Sequence, residues 1–275
     1  MSGFDSILVP HDGSAEAAKA LGCGTWLAGE LDATLHILAP AELAIATEHG
    51  SRVVLHHAAR EPQVAVLDEI ASQRVKLVVM TARGESASGG IERARRLGRI
   101  AQAVIERSAV PVVLLPLRYK EALPWRSILA AASGERAADR ALEAAVALAN
   151  ALRLSVSVVH CAEHGTAAAL GSYADAPHHE LPGRLIEMVD RGLGEQRSIQ
   201  EVLVCRGDPA AELLRMMEER PASVLALGWH GTLARSRAPV LKRLLEEACC
   251  PLLLVRCSEH IGVRLRIGGD VDAHG

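Results

Sequence analysis

The sequence predicts an α/β protein in which one strand–helix unit is written twice. Three observations predict it. Short apolar runs alternate with longer helical stretches along the 275 residues, the pattern of a parallel sheet covered by helices on both faces. The pattern recurs: ILVPHDGSAEAAKAL at 7–21 returns as ILAAASGERAADRAL at 128–142. Apolar residues make up 49% of the chain and aromatics only 2%, so the cores must be built from Leu, Val, Ile and Ala. The length suffices for two modest domains.

The predicted strands of the first half are 6–10, 33–39, 51–58, 76–80 and 111–116. Those of the second are 127–132, 155–162, 198–206, 223–228 and 251–256. Helices are predicted over 15–29, 62–73, 91–108, 136–152, 181–195, 209–219 and 238–248. Pro62 and Pro209 each open a helix, where the missing amide proton has no intrahelical acceptor to lose. Pro111 and Pro251 each begin a final strand, a position that tolerates proline. The offset between copies is 121 residues at the first strand, 147 at Pro62/Pro209 and 140 at Pro111/Pro251. The growth arises because the first half spends about eleven residues between its second and third strands, and the second half more than thirty, including a helix. Residues 117–126 read as a linker and 258–275 as a tail, with an added edge segment conceivable at VRLRI. The expected domains are therefore 1–118 and 126–257.

Charge excludes some functions. Formal net charge is −3, and residues 1–120 carry 13 basic and 13 acidic side chains. Neither half has the basic excess of a nucleic-acid binder, and few aromatics remain for base stacking. The N-terminus lacks the pattern of a signal peptide and no apolar run reaches membrane-spanning length, so the expectation is a cytoplasmic protein without nucleic-acid or membrane partners. Six scattered cysteines form no C-x-x-C pair and read as structural thiols. Adjacent Cys249 and Cys250 fall at a helix end and help seat that helix.

Ligands of an open parallel sheet lie beyond the carboxyl ends of the strands, where strand order switches. Asp12 ends the first strand there, and Gly13 and Ser14 open a helix whose amides favour negative charge. Asp, Gly and Ser are also ordinary helix caps, so capping and ligand binding both remain open. After the fourth strand, TARGESASGG supplies Gly84, Gly89 and Gly90, with Gly98 for a close approach. Such loops can turn amides toward a phosphate. Neither G-x-G-x-x-G nor G-x-x-x-x-G-K-[ST] is present, so the dinucleotide and Walker signatures are absent.

The ordered set ILVPHDGS, GDPAAELL, LALGWHG, SAVPVVLL and ACCPLLLV resembles the universal stress protein family in its tandem form, across residues 4–116 and 127–256. The resemblance implies two tandem Rossmann-like domains, each a mainly parallel five-stranded sheet of order 3-2-1-4-5 flanked by helices. It implies a homodimer through the last strand, or the equivalent pseudo-dimer within one chain. It also implies a role in stress response, an unidentified protein partner and, in some members, ATP or AMP, with Mg when nucleotide binds. The acid after the first strand lies near the adenosine part, and a glycine pattern after the fourth wraps the phosphates. The implied cofactor-binding residues are Asp12, Gly13, Ser14, Arg83, Gly84, Gly98 and Arg99.

The chain departs from that pattern in both halves. Thr81 replaces the first loop glycine, the stretch from Gly84 to Gly98 is thirteen residues instead of nine, and Arg99 replaces Ser or Thr. An arginine can still meet a phosphate, and Arg95, Arg96 and Arg99 fall at helical spacing. In the second half Gly228 and Gly231 match, but Ser133 replaces the acid and Ala238–Pro239 the closing pair. Pro239 has no amide proton to offer. The second site is thus expected to be weaker or empty.

Other chemistry has thin support. His56 and His57 are adjacent in a strand and point to opposite faces. His178 and His179, with Asp175 and Glu180, lie in a polar loop without a metal frame. A His11–Asp12 pair could serve acid–base work. Trp229, inside GWHG, packs or covers the second site. Two readings stand: a nucleotide-sensing module working through the first domain, and a nucleotide-independent interaction protein. Slow ATP hydrolysis is a third, lacking a base beyond Asp12 and a Walker lysine.

Overall fold

The computed structural model describes residues 3–43, 52–58, 60–84, 97–120, 123–133, 135–162, 198–220, 223–234 and 237–257. Gly89, Gly90, Arg95, Arg96, Asp175, His178, His179, Glu180, the 181–195 helix and the 258–275 tail lie outside these residues.

Among the described residues ten strands form one sheet. In chain order they are β1 (Ser6–Pro10), β2 (Thr34–Ala39), β3 (Val53–His57), β4 (Leu77–Thr81), β5 (Val112–Leu115), β6 (Ser127–Ala132), β7 (Ser155–Ala162), β8 (Ile199–Arg206), β9 (Val224–Trp229) and β10 (Leu252–Arg256). The described helices are α1 (Ala15–Leu31), α2 (Pro62–Ser72), α3 (Arg99–Arg107), α4 (Arg136–Leu152), α5 (Pro209–Glu219) and α6 (Pro239–Glu247). Spatial order is β3-β2-β1-β4-β5-β10-β9-β6-β7-β8. The sheet divides at its centre into two five-stranded Rossmann-like units. Each has the order 3-2-1-4-5 and is internally parallel.

The units join through β5 and β10, which pair antiparallel as Leu252↔Leu114, Leu253↔Val113 and Leu254↔Val112. With the 140-residue offset of Pro111 and Pro251, Val113 and Leu253 are equivalent positions facing each other. A local pseudo-twofold therefore passes through that pair, the self-complementary contact of an isologous dimer made within one chain. Both last strands are consequently interior, and neither offers a free edge to another copy.

Alternate strand residues feed two apolar layers, which explains why the strands read as continuous apolar runs. One layer packs Ile7, Val9, Leu35, Leu77, Ile128, Val156 and Val224 with Cys23 and Leu27 of α1 and Leu142, Ala145 and Leu148 of α4. The other packs Leu8, Val78, Leu114, Leu129, Leu225 and Leu254 under α2, α3, α5 and α6, through Val66, Val104, Leu213 and Leu244. Both layers run through both units. Solvent exposure rises at the outer edges, at Val54 and Leu55 of β3 and Val204 of β8.

The duplication reaches the helix ends. α1 stops at Asp32 (φ 49) and α4 at Arg153 (φ 58), each left-handed and each donating its amide to carbonyls of the last turn. This is the C-terminal stop that glycine usually supplies, repeated at the 121-residue offset without glycine.

Candidate functional site

β1 and β4 are neighbours at the point where strand order reverses in the first unit. After Pro10 the chain turns through Gly13, whose φ of +88 favours glycine, into α1. Asp12 shapes this turn. Its Oδ1 accepts hydrogen bonds from Ser14 N at 3.1 Å and Ser14 Oγ at 2.6 Å. Ser14 Oγ in turn accepts from Ala17 N at 3.0 Å, capping α1. His11 Nδ1 accepts from Gly13 N at 3.0 Å. Burial lowers the His11 pKa, and the neighbouring Asp12 charge opposes that shift. His11 therefore acts as a neutral acceptor in the turn.

The other wall is the chain leaving β4. Gly84 lies directly against the Asp12 carboxylate, so closely that any side chain at Gly84 would overlap Oδ2. Thr81 Oγ1 donates to Arg83 O at 2.6 Å, tying the loop down where a glycine was expected. Gly98 donates its amide to Ala82 O at 2.8 Å. A Cβ there would stand 3.3 Å from the same oxygen and 3.6 Å from Arg83 Cα. Glycine at this position thus serves close backbone approach, and its N–H is already used. Arg99 begins α3 immediately afterwards and is exposed.

The structure therefore brings Asp12, Gly13, Ser14, Gly84, Arg83 and Gly98 to one end of the sheet, with Arg99 beside them. The chemistry of this rim is divided. A carboxylate favours hydroxyl or amino donors, and the arginines favour an anion. The amides of Gly13, Ser14 and Ala17 are taken by side chains of the turn itself.

The second unit is arranged differently. Ser133 Oγ accepts from Glu135 N at 3.4 Å, a weaker version of the Asp12 turn. A side chain at Gly228 would overlap the carbonyl of Ala137 and stand 2.6 Å from Ala138 N, so the first turn of α4 rests on β9. His230 Nε2 and Glu135 Oε2 lie 3.0 Å apart, closing one side of the mouth. Gly231 (φ +80) is overlaid by Arg256, with a built Cβ 2.6 Å from Arg256 Cδ. Arg256 donates to Ser108 O at 3.1 Å and Arg107 O at 3.4 Å. Leu233 N donates to Glu106 Oε1 at 2.8 Å. The loop after β9 thus spends an amide on a carboxylate from α3 of the first unit. Ala238, where a glycine was expected, holds φ 51 and ψ 51 ahead of Pro239. Trp229 is buried in the α6 layer and packs there.

The Universal stress protein family model matches residues 38–116 and 124–256. The chain belongs to the universal stress protein family. A putative universal stress protein from Pseudomonas aeruginosa UCBPP-PA14 has the same fold, with a TM-score of 0.64 at 14% identity, covering 92% of this chain and 93% of that one. A universal stress protein from Archaeoglobus fulgidus DSM 4304 gives 0.61 at 16% identity, covering 92% and 98%. No curated protein matches the sequence.

Beyond the family's switch-point site, the structure assembles a histidine chain that the sequence did not announce. His36 Nδ1 and His56 Nε2 are 2.9 Å apart, and His56 Nδ1 is 2.7 Å from Glu69 Oε1 of α2. His36 is buried, and its pKa is lowered by burial, then by His56, against the pull of Glu69. The available signal was parity: His36 and Leu38 share a face of β2, and Leu38 is the register partner of His56. His57 takes no part, as strand alternation requires. Among the described residues no group of three or more His, Cys, Asp or Glu side chains could hold a metal ion, and no helix is long and apolar enough to cross a membrane.

Proposed function

We propose that this universal stress protein is a tandem, two-domain regulatory member of its family. In this reading the first domain senses an adenine nucleotide and the second is a structural partner. The domains are 1–118 and 126–257. One observation carries the reading: the Asp12 carboxylate, fixed by Ser14, abuts Gly84 at the switch point, with Arg83 and Arg99 alongside.

The residues present fit ATP or AMP in one orientation. Asp12 accepts hydrogen bonds from sugar hydroxyls, which a carboxylate favours and a phosphate cannot supply. Arg83 and Arg99 meet the phosphates, and Mg accompanies ATP. No residue here supplies the lysine that holds a transferred phosphate in phosphoryl-transfer sites, so the reading is occupancy sensing and not turnover. In this reading occupancy biases a surface that binds the protein partner.

Titration of refolded, nucleotide-free protein with ATP and AMP tests the proposal. Saturable binding is expected for the wild type, with about a tenfold loss or more in D12A, equivalent to ~1.4 kcal/mol, and no change in S133A. No binding at millimolar nucleotide overturns it.

The second reading is a nucleotide-independent interaction protein. The observation favouring it is the committed loop of the second unit, whose Leu233 amide already holds Glu106. Nucleotide retained through purification argues against it.

A further inference from the structure

Cys161 and Cys205 are register partners on adjacent strands β7 and β8. Their sulfurs are 2.8 Å apart, nearer than the ~3.5–4.0 Å at which two carbon atoms rest. Both are free thiols. Neighbouring strands are spaced about 4.7–4.9 Å, within the Cα separation that a disulfide spans without backbone movement. Other cysteines have other surroundings: Cys23 lies on the buried face of α1, and Cys250 Sγ rests 3.3 Å from Met217 Sδ of α5.

We propose that Cys161 and Cys205 form a redox modification site, oxidised by a low-molecular-weight organic disulfide to a cystine that staples β7 to β8. Cys161 is half-exposed and Cys205 buried, so exchange begins at Cys161. The Cys161 thiolate attacks one sulfur of the organic disulfide, forming a mixed disulfide and releasing the first thiolate. Cys205 then gives up its proton, attacks Cys161 Sγ and releases the second. The two cysteines lose two protons and two electrons, and the organic disulfide is reduced to two thiols.

The surroundings set the rate. Burial raises the Cys161 pKa, as do the hydrogen bond it shares with Cys205 and the charges of Cys205, Glu212 and Asp208. The thiolate is therefore scarce near neutral pH, and the reaction accelerates as pH rises. The consequence is mechanical. Among the described residues β8 is the outermost strand and pairs with β7 alone, so the bond ties an edge strand of the described sheet to its neighbour. It closes a loop of 44 residues, long enough for substantial chain-entropy stabilisation of the fold.

The test treats the reduced full-length protein with oxidised glutathione, counts thiols under denaturing conditions and maps cross-linked peptides by mass spectrometry. Two of the six thiols should disappear, with a Cys161–Cys205 peptide and a rise in Tm of roughly 5 °C or more. C249S/C250S should behave identically. C205S should stop at a glutathione adduct on Cys161, with no such rise in Tm. Six free thiols after treatment, a stable adduct on wild-type Cys161, or a bond joining other cysteines would each overturn the proposal.

Discussion

One methyl group placed at three glycines should give three different outcomes, because the structure surrounds them differently. At Gly228 an added Cβ overlaps backbone atoms of Ala137 and Ala138 at the start of α4. Backbone cannot rotate away, so α4 must retreat by roughly an ångström or more. That helix buries Ala137, Ala138, Ala141, Leu142, Ala145, Leu148 and Ala149, and interiors packed this densely resist such shifts. G228A should therefore cost at least ~2 kcal/mol, at the upper end of overpacking penalties, and lower Tm by about 5 °C or more. At Gly84 the added methyl meets only the Asp12 carboxylate, the movable end of a side chain. G84A should cost about 1 kcal/mol through the lost Ser14 bonds, while abolishing nucleotide binding. At Gly29 nothing lies within 4 Å, and G29A should stabilise α1 by ~0.5 kcal/mol. Urea unfolding of the three variants at one pH is the assay. An unfolding free energy of G228A equal to that of wild type, or less than ~1 kcal/mol below that of G84A, would refute the claim that α4 rests on β9 through bare backbone.

Three other predictions follow from single sites. A238G should stabilise the protein by about 0.5–1 kcal/mol, since Ala238 holds a left-handed conformation at φ 51 that costs an L-residue about 1–2 kcal/mol; thermal unfolding measures it. Asp208 caps α5 by accepting from Ala211 N at 2.8 Å, so D208A should cost ~1 kcal/mol, mostly independent of salt because its ion pair with Arg243 is exposed. The lowered pKa of buried His36 means the unfolded chain takes up that proton first as pH falls. Its stabilising contribution is complete above the unfolded pKa, about 6.5, and is lost as pH falls through the lower folded pKa. H36Q should flatten the slope of stability between pH 7.5 and 5.5 in part, the remainder including His11, whose pKa is lowered in the same sense.

The strands were legible because each is a short apolar run buried on both faces, with Pro or a polar turn at its end. The observed bounds of β1, β6 and β7 coincide with the predicted ones, and the other strands differ by one or two residues at their ends. The Asp12 turn was legible for the same local reason: Asp, Gly and Ser can bond their own backbone within a few residues. Gly98 was legible as a point of close approach, but sequence could not say that its amide is spent on Ala82. The engagement of Leu233 by Glu106 and of the Ser108 carbonyl by Arg256 was not legible at all. Both contacts cross between units, and periodicity carries no information about partners more than a hundred residues away.

The sequence by itself determined two repeated units, their strands, the helices that fall within the described residues, the family and the single acid at the first switch point. Those features follow from local patterning: burial parity along a strand, capping at a helix start, and recurrence of the same elements in the same order. Only the tertiary structure decided that Val113 meets Leu253 on a pseudo-twofold axis, so that the two units pair through their last strands. It alone aligned Cys161 with Cys205 and joined His36, His56 and Glu69. Register and crossing contacts depend on how two distant segments settle against each other, and that choice is made by the packing of the whole sheet.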